Sequence, residues 1–196
     1  MTLALEAANR ALFLSMNAPA GLTGPWLAAA KLASSQCIIV LAVLLALMWA
    51  RGDRGQRAGL LTLSCAAAWA LLLNYVIGAV WPHPRPFMVP IGHTFLEHAA
   101  ENSFPSDHAT LMWTFALGLW WVRSLRGLFR WALALAALTS WARVFLGVHF
   151  PFDILGSIAV ALFALVSIGP ARSWIDVHLA PRVERLHGAT LGRALR

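Results

Sequence analysis

Residues 59–81 read GLLTLSCAAAWALLLNYVIGAVW and carry no charged side chain. A helix needs about 20 apolar residues to cross the hydrocarbon core of a bilayer. The stretch therefore reads as a membrane span and sets the terms for the rest of the chain. Four other segments read the same way. They are Trp26–Ala50, with Lys31 near one end; Ser106–Val122, polar only at its start; Trp131–Val148, apart from Arg143; and Phe152–Gly169, with Asp153 at its start. A short amphipathic segment, residues 3–17, precedes them and is expected to lie in the membrane interface or to form a short sixth span. The expected fold class is all-α: a polytopic membrane helix bundle of about five transmembrane helices plus that N-terminal helix.

Composition agrees. The 196 residues are 60% hydrophobic with a mean hydropathy of +0.70, against an apolar share of roughly 45–50% in soluble domains. The 15 basic residues, all Arg except Lys31, outnumber the 8 acidic ones. They form no basic stripe on a soluble module, so no nucleic acid partner is expected. Cys37 and Cys65 lie in apolar runs and read as packing residues rather than a disulfide or metal pair. Glu6, Asn9 and Arg10 interrupt the N-terminal apolar run and no basic region precedes it, so no cleaved signal peptide is expected. We read residues 1–196 as one membrane domain, with an N-terminal helix over 1–20, a transmembrane core over 26–170 and a basic cytoplasmic tail over 171–196.

The connections alternate in character. RGDRGQR (51–57) and RSLRGLFR (123–130) hold three Arg each, and the tail beyond Pro170 holds five. Five spans put these three segments on one side of the membrane, and the excess of Arg makes that side cytoplasmic. The loop Pro82–Pro105 and the turn around His149 then face outward together. The tail, mixing Leu and Val with Arg, reads as a helix lying on the anionic inner leaflet.

Three polar clusters stand at those outer ends: HPRPF (83–87), PSDH (105–108) and ARVFLGVHFPFD (142–153). Taken singly, each residue has an ordinary reading. Arg143 snorkels to the interface, Arg85 touches head groups, and Ser106 and Asp153 cap helices. Together they describe a site, because ionisable groups at membrane depth are costly and usually functional. Arg85, Arg143 and a helix start at Ser106 make an anion cradle, since guanidinium forks and free helix N–H groups both suit phosphate oxygens. Asp153, four residues after His149, can reach back to one imidazole nitrogen and leave the other free to attack. His108 is placed to protonate the departing oxygen.

These residues resemble the type 2 phosphatidic acid phosphatases, whose pattern is Lys, six residues, Arg-Pro; then Pro-Ser-Gly-His; then Ser-Arg, five residues, His, three residues, Asp. Arg85-Pro86, Pro105-Ser106-Asp107-His108 and Arg143…His149…Asp153 match in order and spacing over roughly residues 60–170. Three positions depart: Gly78 stands where the Lys is expected, Asp107 replaces Gly, and Ala142 replaces Ser. HPRPF with SFPSDHAT is similar to the bacterial undecaprenyl-diphosphate phosphatase branch. The resemblance implies a phosphohistidine on His149, Asp153 as its orienting partner and His108 as general acid. Arg85, Ser106 and Arg143 would bind phosphate, with His83 or Lys31 substituting for the missing Lys. It implies no metal and no cofactor, a membrane lipid phosphate as substrate, and an active site facing the periplasm or exterior. Asp107 is counted with the binding residues; it is expected to point away from the anion and cap its turn, its charge helping to keep His108 protonated. The oligomeric state is not addressed by any of these features.

Two other chemistries compete. His93, Glu97, His98 and Glu101 in the loop could bind zinc, or the loop could act as a lid or head-group contact. Paired His could instead serve a non-enzymatic haem protein, and a lipid transporter would need no nucleophile at all. Phosphatidylglycerophosphate, lipid A phosphate and phosphatidic acid are the alternative substrates.

Overall fold

The computed structural model describes residues 3–194. Its helices are α1 (Leu3–Met16), α2 (Pro25–Arg51), α3 (Arg54–Val80), α4 (Asp107–Gly118), α5 (Phe129–Phe145) and α6 (Pro151–Ile168). A turn α7 (Arg172–Trp174) and a π-helical turn (Ile175–Leu179) lead into α8 (Ala180–Ala194). Among the described residues there is no β-strand. By length and composition, Pro25–Arg51, Arg54–Val80, Leu125–Phe145 and Pro151–Gly188 are each able to cross a membrane. The protein is a multi-pass membrane protein.

The expected spans are all found, with one qualification. At 12 residues α4 is too short to cross by itself. It sits inside the bundle, against α3, α5 and α6, with Ala109, Met112 and Ala116 fully buried. Turns after Gly118 carry the chain onward until Val122 meets Gly59, near the start of α3. Segment 106–122 therefore does run the depth of the bundle, but only its first part is helix.

Small residues set the packing distance. Ala66, Ala67 and Ala70 of α3, Ala136 and Ala142 of α5, and Ala161 and Ala164 of α6 are buried. Such residues let helix backbones approach closely where lipid supplies no hydrophobic drive. Outward-facing Ile39, Val43, Leu72, Val76, Leu155, Leu162 and Phe163 are exposed, a surface suited to acyl chains.

The end of the bundle away from His149 is fastened by charge. Asp53 and Gln56 form a reciprocal capping box at the start of α3, and Arg57 pairs with Glu184 of α8. The Arg-rich segments thus gather at the end opposite His149. Helix α1 does not form a sixth span: it has 14 residues and packs on α5 and α6 at their His149 ends. There Phe13 meets Phe150 edge-on at 5.2 Å, and Asn9 Oδ1 accepts from the Phe152 N–H at 3.0 Å.

Candidate active site

The turn between α5 and α6 builds the centre. Helix α5 ends in a Schellman motif: the Gly147 N–H bonds Val144 O at 3.0 Å and the Val148 N–H bonds Arg143 O at 3.1 Å. Gly147 has φ of 80°, a left-handed position that favours glycine. Pro151 then opens α6, where its missing N–H costs nothing. The reversal folds His149 back over Arg143, one turn inside α5.

His149 is 2% exposed and Asp153 is fully buried. His149 Nδ1 lies 3.3 Å from Asp153 Oδ2, so Nδ1 donates and Nε2 presents its lone pair. Facing Nε2 are Arg85 Nη1 at 3.0 Å and Arg143 Nη2 at 3.4 Å. Arg85 is steadied by Val148 O at 3.1 Å. Burial pushes the His149 imidazole down to about 3, with the Asp153 hydrogen bond acting in the opposite sense, so the ring is neutral at ordinary pH. Burial also lowers Arg85. Neither arginine forms a salt bridge among the described residues, and Nε of each is buried without a partner. Two buried guanidinium groups with no carboxylate at ion-pair distance among the described residues make a site for an anion.

Sequence reasoning missed Ser103, although it opens SFPSDHAT. Its hydroxyl donates to Asp153 Oδ2 and lies 3.4 Å from His149 Nδ1. The same carboxylate oxygen accepts from the Phe150 N–H at 2.8 Å. Asp153 thus both caps α6 and orients His149.

A cleft of about 540 Å³ opens beside this centre between α2, α3 and α4. Arg85, Asp107 and His108 line its polar side, and Ile38, Leu71 and Leu111 its apolar side. Several expectations about it are corrected. Ser106 is fully buried: its hydroxyl accepts from Ala109 N, and its own N–H goes to Ser157 Oγ at 2.9 Å. That N–H is therefore not open to a phosphate, and the first-turn N–H groups still available are those of Asp107 and His108. Asp107 does not point away and cap; its Oδ1 accepts from Asn74 Nδ2 of α3 at 2.8 Å, on the cleft wall. His83 is outside the cleft lining. Its N–H is held by Asn102 Oδ1 and its C=O by the Ser103 N–H at 2.7 Å, which turns the ring toward Phe150 and Asp153. Lys31 is exposed on α2 and also lies outside it.

The departure at Gly78 has a physical cause. A Cβ there would stand 2.7 Å from Asn102 Nδ2. The Asn102 side chain occupies the space and ties the HPRPF loop to Phe104 O.

Among the loop residues weighed as zinc ligands, His98 turns inward, its ring 6.4 Å from that of His149. Burial, and then the Arg85 charge, lower its affinity for a proton. Among the described residues no group of three His, Cys, Asp or Glu side chains is placed to hold a metal ion.

The whole is a multi-pass membrane protein with two buried arginines and a buried histidine beside a cleft at one end of its bundle. The chain belongs to the PAP2 superfamily, whose model matches residues 59–174. It is 38% identical over 165 residues to YbjG of Escherichia coli, an inferred undecaprenyl-diphosphatase, covering 83% of this chain and 82% of that one. It is 34% identical over 126 residues to the undecaprenyl-diphosphatase BcrC of Bacillus subtilis, covering 64% of each. Among solved structures, LpxE of Aquifex aeolicus superposes with a TM-score of 0.62 at 22% identity, covering 86% of this chain and 98% of that one. A PAP2-type phosphatidylglycerolphosphate phosphatase of Bacillus subtilis gives 0.58 at 22% identity, covering 90% of both. These two likenesses speak for the fold alone.

Proposed function

We propose that the protein is an integral-membrane lipid phosphatase that hydrolyses undecaprenyl diphosphate to undecaprenyl phosphate and inorganic phosphate, recycling the cell-wall lipid carrier. The observation that carries the reading is the placing of His149 Nε2, oriented through Nδ1 by Asp153, against two guanidinium groups without carboxylate partners. The names of the relatives support the substrate.

In this mechanism Arg85 and Arg143 take the terminal phosphate oxygens, aided by the amides of Asp107 and His108. Nε2 attacks the terminal phosphorus as the bond to the bridging oxygen breaks, and His108 gives its proton to that oxygen. Undecaprenyl phosphate leaves, and a phosphohistidine remains while Asp153 carries the Nδ1 proton's hydrogen bond. His108, now neutral, takes a proton from water as it attacks the phosphohistidine, freeing inorganic phosphate and restoring both histidines. No step calls for a metal or a cofactor. The apolar side of the cleft suits the prenyl chain.

The same reading puts the protein in the bacterial cytoplasmic membrane, with the site facing the periplasm or exterior. In support, the Arg-rich segments lie at the opposite end of the bundle, as the positive-inside rule requires of the cytoplasmic face.

The test is phosphate release from undecaprenyl diphosphate in detergent with EDTA present, beside His149→Ala, with phosphatidic acid and phosphatidylglycerophosphate as parallel substrates. Release by the wild type and not the variant supports the mechanism. Faster release from another lipid phosphate would overturn the substrate, and loss of release with EDTA would overturn the metal-free steps.

A further inference from the structure

Asp153 has two oxygens, and the groups that hold His149 use only Oδ2. Among the described residues its Oδ1 is buried with no hydrogen-bond partner, and so is Nδ1 of His83. These two atoms face each other at 3.8 Å. On the far side of the ring, His83 Nε2 lies 3.6 Å from Glu6 Oε2 of helix α1. Both separations are beyond hydrogen-bond length but within reach of an ion pair. An imidazole serves two carboxylates only when both nitrogens carry protons, since an unprotonated ring nitrogen is an acceptor.

His83 has little freedom to be elsewhere. Asn102 and Ser103 hold its backbone from both sides, and its ring packs edge-on against Phe150 at 5.7 Å. Helix α1 is held as firmly. Besides the Asn9 and Phe13 contacts, Asn17 Nδ2 donates to Phe145 O at 3.0 Å and to His93 O at 2.9 Å. Glu6 is therefore presented to His83 by a docked helix. Its other oxygen is occupied by Arg10 Nε at 2.8 Å.

We propose that His83 is a positioning residue, bracketed by Glu6 and Asp153, that steadies the second oxygen of Asp153 and through it the aim of His149, so that helix α1 takes part in catalysis through Glu6. The inference rests on His149 being the nucleophile. Asp153 held at one oxygen can pivot about it; held at both it cannot. Since a misplacement of about 1 Å can cost 10²-fold in rate, the second restraint has kinetic consequence. Its effect falls on kcat, because neither His83 nor Glu6 lines the cleft that receives the substrate.

The experiment measures kcat and KM for wild type, His83→Gln, His83→Lys, Glu6→Gln, the His83→Gln/Glu6→Gln double variant and His149→Ala, with melting temperatures of each. His83→Gln is expected to lower kcat roughly 10- to 100-fold with KM unchanged. Glu6→Gln is expected to lower it about 2- to 5-fold, the scale of a partly exposed ion pair. Because Glu6 acts through His83, the Glu6→Gln effect should vanish in the His83→Gln background, and His83→Lys should recover part of the lost kcat. A purely structural role would give additive losses, parallel falls in melting temperature and no recovery with Lys. An inactive His149→Ala beside a His83→Gln of wild-type kcat overturns this proposal alone. An active His149→Ala overturns the reading on which it rests.

Discussion

Arg57 at one end of the bundle and the pair Arg85 and Arg143 at the other put one side chain to opposite uses. Arg57 lays Nε and Nη2 on the two oxygens of Glu184, the second at 3.1 Å, and gives Nη1 to Gly52 O. Every face of its guanidinium is answered by the protein, and the result is a clamp between α3 and α8. Arg85 and Arg143 are more deeply buried, at 6% and 4% exposure, yet among the described residues they reach only Val148 O and one imidazole nitrogen. Burying a charge without a partner is expensive. The difference teaches how a structural arginine differs from one of the kind proposed to bind phosphate: the first brings its carboxylate, the second would be completed by an anion from outside.

The contrast can be broken at several points. The largest effect is expected from His149→Ala, which should reduce phosphate release about 10³-fold or more if Nε2 is the nucleophile. Residual release near the wild-type rate would remove the chemistry from this end of the bundle. Arg85→Ala and Arg143→Ala should each lower kcat/KM about 10²- to 10³-fold without loss of melting temperature, because each removes an uncompensated buried charge. Arg57→Ala should do the reverse, leaving kcat/KM near wild type while lowering stability by about 1–3 kcal/mol. Equal kinetic penalties at Arg57 and Arg85 would erase the distinction.

Ser103→Ala sharpens the comparison at the His149 end further. It deletes one hydrogen bond to Asp153 but leaves those from His149 and Phe150, so a kcat loss of about 10-fold or less is expected, with KM unchanged. The smallest effect concerns pH. Folded His149 is held near 3, whereas an unfolded histidine takes up a proton as pH falls below about 6.5. Between those values the unfolded state binds more protons, so stability should fall as pH is lowered through that window. The drop in melting temperature from about pH 7.5 to about pH 5 should be smaller in His149→Gln than in wild type. An identical drop in both would mean that His149 is not held neutral.

Much of this was legible in one dimension. The uncharged run 59–81, the Arg-rich connections and Pro151 before Asp153 announced spans, ends and a helix start, because hydrophobic length, charge asymmetry and proline geometry act locally. Spacing placed His149 against Asp153, since four residues across a helix start bring two side chains to the same face. Arg143 and His149 were also linked locally, by Gly147 and the Schellman turn.

Other features depend on segments far apart in the chain. Asn102 fills the space beside Gly78, Asn74 takes Asp107, and Ser157 consumes the N–H of Ser106. Ser103 joins Asp153 from 50 residues away. None has a periodic or motif signal, because asparagine and serine serve any loop equally well until a partner is brought to them. Helix α1 is the clearest case. Its amphipathic pattern told that one face would be buried, and lipid and protein are indistinguishable to such a pattern. The sequence by itself determined a membrane bundle with its charged residues sorted to its ends. Only the tertiary structure decided that α1 docks on the turn between α5 and α6, that His83 faces Asp153 rather than the cleft, and that two arginines lie buried with no carboxylate at ion-pair distance among the described residues. Contacts between distant segments are settled by how the helices pack, and no local rule encodes them.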